Sequence, residues 1–271
     1  MSIIRPFAPK EVTEDNASIM QLAIDIAMAA GKIQLHKFRS RSLEVETKSN
    51  VHDLVTEVDK ECEAMIIERI RQVFPSHNIL CEETGLHNTG ESDWQWVVDP
   101  LDGTNNYSQG LPIYCVSIGV QYKGETQVGV VYAPSMDSLY TAIRGEGARW
   151  NGKQIRVNRK NDLNECIVAT GFPYDKGTVG SDKNNLDNVC RMLPQLRGLR
   201  RMGSAAFDLC CVACGMLDGY WELNLNPWDA CAGMLIVEEA GGIIRTIRDD
   251  RKISIAAGYP AIVEKIMENV K

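Results

Sequence analysis

Two aspartates stand three positions apart in Trp96-Val-Val-Asp99-Pro-Leu-Asp102-Gly-Thr104-Asn-Asn-Tyr107. An apolar strand delivers them at its end, Pro100 stiffens the turn between them, and Gly103 lets the backbone come close to whatever they bind. Such a corner can aim two carboxylates and one main-chain carbonyl at a single cation. A helix starting near Gly103 would turn its free N–H groups toward an anion held by that cation. Three further acidic groups stand in similar places. Glu82-Glu83 follows the apolar Ile79-Leu80-Cys81, Asp229 follows Pro227-Trp228 at a helix start, and Asp53 and Asp59 bracket Leu54 to Val58. Each alone is an ordinary cap or solvated charge. Together they are four clusters at element ends without a histidine or cysteine companion. That is an all-oxygen donor set, suited to Mg²⁺ or Mn²⁺ holding a phosphate and unsuited to zinc or copper.

These corners need strands and helices to carry them. Ile19, Leu22, Ala23, Ile26, Ala30 and Ile33 recur at helical spacing and predict a helix from about Asn16 to Phe38. A second helix is expected from Asp59 to Phe74, stopped by Pro75. Strands are expected at Trp96–Val98, Val116–Tyr122, Gln127–Tyr132, Leu139–Ile143, Cys166–Thr170, Gly219–Leu223 and Ile253–Ala257. Further helices are expected around Leu186–Leu193, Ala205–Leu217, Trp228–Glu239 and Ile262–Val270. Helices interspersed among strands without a plain alternation predict a layered α+β architecture with mixed sheets.

Composition narrows the function classes. The 271 residues are 44% hydrophobic and 24% charged, as in folded soluble proteins. No apolar run approaches the ~18–20 residues of a membrane span, and the first ten residues lack the apolar core of a signal peptide. A net charge of −7 argues against a nucleic-acid surface. Nine cysteines, an odd number without regular spacing, do not read as a disulfide framework and place the chain in a reducing compartment, the cytoplasm. Cys211 and Cys214 form a C-x-x-C inside an apolar segment and read as buried small hydrophobes.

The four acidic motifs, in this order, resemble the inositol monophosphatase family: Asp53-Leu-Val-Thr-Glu-Val-Asp59, Glu82-Glu83, Asp99-Pro-Leu-Asp102-Gly-Thr104, and Trp228-Asp229 with the stretch through Gly242. The resemblance covers nearly the whole chain. It implies a single domain over 1–271, built as an α/β/α/β/α sandwich from two packed halves (about 1–160 and 161–271). It also implies a homodimer that hydrolyses small phosphomonoesters with two or three Mg²⁺ and is inhibited by Li⁺. By position, Glu82, Asp99 and the Leu101 carbonyl would hold the first ion and Asp99, Asp102 and Asp229 the second, with Glu82 reaching a third through water. Asp59 and Thr104 would orient and deprotonate the attacking water. Gly103 and Thr104 would donate backbone N–H groups to the phosphate, and Lys48 and Asp53 would tune the site from behind.

Three departures stand out. Cys81 replaces the family's usual glycine before the Glu pair, adding a Cβ beside the metals. Tyr107 replaces a phenylalanine. The segment Ile243 to Asp250 is shorter than usual. Asn105-Asn106-Tyr107 resembles the inositol monophosphatase form and not the Lys-Glu-Phe of phosphoadenosine phosphatases. Glu222 matches the acceptor of sugar hydroxyls, and Gly203-Ser204-Ala205 the segment beside the ring. Inositol monophosphate is the leading substrate; fructose bisphosphate, histidinol phosphate and other sugar phosphates are alternatives. Some bacterial relatives also contact the transcription machinery, so a binding role, with Arg191, Arg197, Arg200 and Arg201 as a basic face, is the reading from another class.

Overall fold

The protein is seen in a computed structural model that describes residues 14–40, 43–47, 54–90, 92–173 and 184–271. Helix α1 (Asn16–Lys37) opens on Asp15, whose carboxylate caps the Ser18 N–H, and buries Ile19, Ala23, Ile26 and Ala30 as the helical spacing predicts. After the short antiparallel pair β1 (Val45–Thr47) and β2 (Leu54–Thr56) comes α2 (Glu57–Val73). This helix starts two residues earlier than the sequence reading put it. Thr56 is its cap and Asp59 closes a reciprocal capping box, so Asp59 lies in the first turn instead of opening it.

The chain then runs through β3 (Asn78–Cys81), β4 (Gly85–His87), β5 (Trp94–Asp102), the one-turn helix α3 (Thr104–Ser108), β6 (Cys115–Tyr122) and β7 (Glu125–Ala133). Next come β8 (Ser138–Ile143), β9 (Gly147–Trp150) and β10 (Lys153–Gln154). These strands form one eight-stranded sheet in the order β10-β9-β8-β7-β6-β5-β3-β4, antiparallel except where β3 runs parallel to β5. A second sheet takes β11 (Ile167–Thr170), β12 (Gly198–Arg200), β13 (Gly219–Leu225), β14 (Ile243–Thr246) and β15 (Ile253–Gly258), in the order β12-β11-β13-β15-β14. Its helices are α4 (Leu186–Met192), α5 (Ala205–Ala213), α6 (Pro227–Glu239) and α7 (Pro260–Asn269).

The layers follow from which faces are apolar. Helices α1 and α2 cover one face of the large sheet over a core containing Ile26, Ile66, Trp96 and Ile118. Helices α5 and α6 fill the space between the sheets, with Leu209, Val212 and Ile236 in the central core. Helices α4 and α7 pack with the outer face of the small sheet around Met192, Trp221 and Ile266. The result is the expected α/β/α/β/α sandwich. Helix α6 lies unusually close to the large sheet because Gly119 and Gly129 face each other there; a Cβ on Gly129 would stand 2.8 Å from the Ala232 carbonyl oxygen.

Two expectations are corrected. Helix α5 ends at Ala213, not Leu217, because Gly215 takes the left-handed conformation (φ 78°) that ends helices, although the apolar run continues. The short segment after Gly242 contains strand β14 at the sheet edge instead of serving wholly as a loop.

Candidate active site

The two-aspartate corner is an interruption of β5. The β5–β6 ladder shifts register between Asp99 and Asp102, so the strand kinks and both carboxylates turn into one cavity. Asp99 Oδ1 accepts the Leu101 N–H at 2.9 Å, which sets the turn around Pro100. The Pro100 carbonyl accepts from Gln34 Nε2 at 2.8 Å, and Tyr107 donates its hydroxyl to the Gln34 carbonyl at 2.6 Å. Gln34, fully buried on α1, therefore ties the corner and α3 to the first helix. Gly103 caps α3 with φ 97°, a conformation costly to any side chain; a Cβ there would also stand 2.8 Å from the Ile113 carbonyl oxygen.

The remaining carboxylates arrive from other elements. Glu82 leaves β3 with its N–H on the Val98 carbonyl, at 3.2 Å, which places it beside Asp99. Asp229 sits in the first turn of α6, where its Oδ2 accepts the Asn226 N–H at 2.7 Å. Asp102 Oδ2 accepts from Ser204 Oγ at 2.7 Å and from the Ala206 N–H at 2.8 Å, both at the start of α5. Behind this wall Asp59 accepts from Thr56 Oγ1 and the Thr56 N–H on one oxygen, at 2.5 and 2.8 Å. Its other oxygen faces Thr104 Oγ1 at 3.0 Å, which also lies 3.0 Å from the Leu101 carbonyl oxygen. One hydroxyl proton thus chooses between two acceptors.

A cavity of about 390 Å³ brings together Glu82, Asp99, Leu101, Asp102, Gly103, Thr104 and Asp229 on one side, with Ala205, Arg201 and Glu222 opposite. Asp59 is fully buried and does not line it; among the described residues Thr104, which bonds Asp59, connects it to the cavity. Lys48 and Asp53 lie outside the described residues. Cys81, although near Asp99 and Glu83, does not line the cavity. Strand alternation turns it into the core with Ile79, Trp96 and Val98, where it is fully buried. Glu222 stands in the cavity wall, where the Tyr220 hydroxyl donates to its Oε2. All nine cysteines are free thiols, Cys211 and Cys214 included.

Burial and mutual repulsion dominate the electrostatics. Asp99 is held well above the usual carboxylate range by burial, then by the charges of Glu82, Asp102 and Asp229. Asp229 is raised likewise by burial and by Asp102 and Glu82. Burial lifts Asp102 to about 6 against the opposing hydrogen bonds from Ser204 and Ala206. Asp59 is also lifted by burial to about 6, and Glu222 to about 7. Four carboxyl groups that repel one another in one cavity wall fit a divalent cation, since a counter-charge would relieve that repulsion. Among the described residues no three His, Cys, Asp or Glu side chains close into a compact cage. The donors form an open wall, leaving room for the Leu101 carbonyl, water and a substrate oxygen as further ligands.

Sequence reasoning missed several supports. Gln34 is a polar residue on the apolar face of α1, a signal visible in the periodicity. Asp208 is a lone acid in the apolar α5, buried to 1% exposure with Oδ1 unpartnered among the described residues. Its carboxyl is held far above the usual range by burial and by the charges of Glu222 and Asp102.

The chain matches the model of the inositol monophosphatase family over residues 15–269. It is 44% identical over 226 residues to the Nus factor SuhB of Haemophilus influenzae, covering 83% of this chain and 84% of that protein. It is 39% identical over 257 residues to the Nus factor SuhB of Escherichia coli, covering 93% and 96%. Among solved structures, the extragenic suppressor protein SuhB of Bartonella henselae superposes with a TM-score of 0.88 at 34% identity, over 94% of this chain and 98% of that one. An inositol monophosphatase from Anabaena (Nostoc) superposes with a TM-score of 0.81 at 35% identity, over 93% and 95%. The chain therefore belongs to the inositol monophosphatase family.

Proposed function

We propose that the protein is a Mg²⁺-dependent phosphatase of small phosphomonoesters, with inositol monophosphate as the leading substrate and sugar phosphates as the alternatives. The observation that carries this reading is the convergence of Glu82, Asp99, Asp102, Asp229 and the Leu101 carbonyl on one cavity, with the Asp59–Thr104 pair directly behind it. In this reading Glu82, Asp99 and Leu101 hold one ion, Asp99, Asp102 and Asp229 a second, and Glu82 a third through water. Bound there, Mg²⁺ would neutralise the phosphoryl group and lower the pKa of a ligated water.

The chain's own groups do the rest. Thr104 Oγ1 accepts a proton from the attacking water as it passes its own to Asp59 Oδ1, which lies 3.0 Å away. Burial raises Asp59, so it is a better base than an exposed aspartate. The backbone N–H groups of Gly103 and Thr104 orient the phosphate, Ala205 packs beside the substrate ring and Glu222 accepts from its hydroxyls. Lys48 and Asp53 remain proposed tuners of the site. A panel of phosphomonoesters compared by kcat/KM tests the reading and ranks the substrates. Release of phosphate from none of them in the presence of Mg²⁺ would refute it.

A second reading is favoured by the relatives named Nus factor SuhB. Under it the protein also binds the transcription machinery, with the exposed Arg191, Arg197, Arg200 and Arg201 as a contact face that reaches the cavity at Arg201. Co-purification with RNA polymerase, lost on charge reversal at these arginines, is the expected outcome; unchanged co-purification would remove that face from consideration.

A further inference from the structure

Helix α2 carries two carboxylates one turn apart on the same face, Asp59 and Glu63. Asp59 belongs to the Thr56–Thr104 network. Glu63 is 1% exposed, and it does not line the cavity. Its Oε2 accepts the Glu83 N–H and its Oε1 accepts the Thr84 N–H, each at 2.9 Å. These are the two amides that follow Glu82, in the turn where the chain leaves β3 and reverses into β4.

Burying a carboxylate is costly unless its oxygens are engaged, and the described partners of Glu63 are both backbone amides. Water could satisfy two amides in a surface turn. A buried anion gripping both oxygens' worth of donors does something water does not: it fixes the position of the backbone. Each carboxylate oxygen takes one amide, whereas a glutamine could satisfy one amide but would point an N–H at the other. The Glu82 N–H is pinned from the opposite side by the Val98 carbonyl, at 3.2 Å. The Glu82 backbone thus has a fixed partner on either flank, β5 before it and α2 after it.

We propose that Glu63 is a positioning residue that clamps the Glu82–Glu83–Thr84 turn from behind and so presets the Glu82 carboxylate for its cation. Helix α2 then sets two parts of the site at once: the Asp59–Thr104 pair through its first turn and Glu82 through its second. The proposal rests on the reading of Glu82 as a metal ligand.

Thermal unfolding of the full-length protein across a Mg²⁺ titration tests it without relying on turnover. Wild-type, Glu82→Gln and Glu63→Gln proteins are compared. The wild type should be stabilised saturably, and Glu82→Gln should lose most of that response. Glu63→Gln should keep it with a midpoint raised about tenfold, the scale of one hydrogen bond to a charged group. A purely structural Glu63 would lower Tm equally with and without Mg²⁺ and leave the midpoint unchanged; with a normal wild-type response, that result overturns the proposal alone. A wild type indifferent to Mg²⁺ would overturn the metal reading and this proposal with it. Should Glu63→Gln not fold, hydrogen exchange at the Glu83 and Thr84 amides of the wild type decides. Protection already present in the metal-free protein supports the clamp, and protection that appears only with Mg²⁺ overturns it.

Discussion

Ser204 donates to Asp102 across the boundary between the two sheets: its Oγ, at the cap of α5, lies 2.7 Å from Oδ2 of the carboxylate that ends β5. The neighbouring Ala206 N–H shares the same oxygen at 2.8 Å, Cys115 Sγ lies 3.8 Å from it and the Ala205 amide also bonds the carboxylate, so Asp102 serves as a cap for α5. Replacing Ser204 by alanine removes one of these donors and keeps the others. The fold should persist, with the Mg²⁺ half-saturation raised several-fold, as loss of a hydrogen bond to a charged group implies. A Ser204→Ala protein with unaltered Mg²⁺ response would show that the remaining donors, the α5 amides and Cys115, suffice to orient Asp102.

Thr104→Ala separates proton transfer from metal binding. The hydroxyl is the only described link between the buried Asp59 and the cavity side of the wall. Turnover should fall ~10²–10⁴-fold, the usual value of a positioned acid–base contact, at unchanged Mg²⁺ half-saturation. Steady-state kinetics at saturating Mg²⁺ measures this, and wild-type kcat in the variant would remove Thr104 from the mechanism.

Glu222→Gln separates recognition from chemistry. Assayed above about pH 8, where Glu222 is ionised, the substitution keeps the side chain's shape and removes the charge that strengthens hydrogen bonds to substrate hydroxyls. For polyhydroxylated phosphate esters kcat/KM should fall roughly 10- to 100-fold, while nitrophenyl phosphate should be hydrolysed equally by both enzymes. Equal losses on the two substrates would assign Glu222 to the support of the metal wall.

The pH dependence of stability tests the electrostatics of the carboxylate wall. Asp59 and Asp102 titrate at about 6 in the folded protein and Glu222 at about 7, all raised above the ordinary carboxylate values first by burial. Their folded state binds protons more tightly than the unfolded chain does. The stability they contribute is complete below the ordinary carboxylate pKa and is lost as pH rises through about 6 to 7. In chelator, Tm should therefore fall between about pH 4 and pH 7, and Mg²⁺ should flatten the decline. A metal-free Tm that is level or rising over that window would contradict the account.

Much of this was legible in the sequence, for identifiable reasons. The long helices α1 and α6 and the central strands β5, β6 and β7 bury continuous or periodic apolar faces, and their patterns show it. The short edge elements β4, β12 and β14 have mixed or exposed faces, and pairing with a neighbour creates them, which no local pattern records. The acidic residues at strand and helix ends marked the cavity because several of them recur in that setting. The grips on those residues were illegible: Gln34 meets Pro100 from 66 positions away, Ser204 meets Asp102 from 102, and Glu63 meets Glu83 from 20. Such pairs exist only once the layers are stacked. Cys81 shows the converse: its position next to Glu82 suggests a Cβ beside the metals, and strand alternation turns its side chain into the core.

The most direct test of the central claim is phosphate release from inositol monophosphate and a panel of sugar phosphates, measured on one protein preparation before chelation, after exhaustive chelation and after Mg²⁺ is restored. Turnover on at least one ester that vanishes with the chelator and returns with Mg²⁺ is the expected result. Undiminished turnover in the chelated protein would contradict the account, because four mutually repelling carboxylates would then line a cavity whose chemistry does not use the cation they fit.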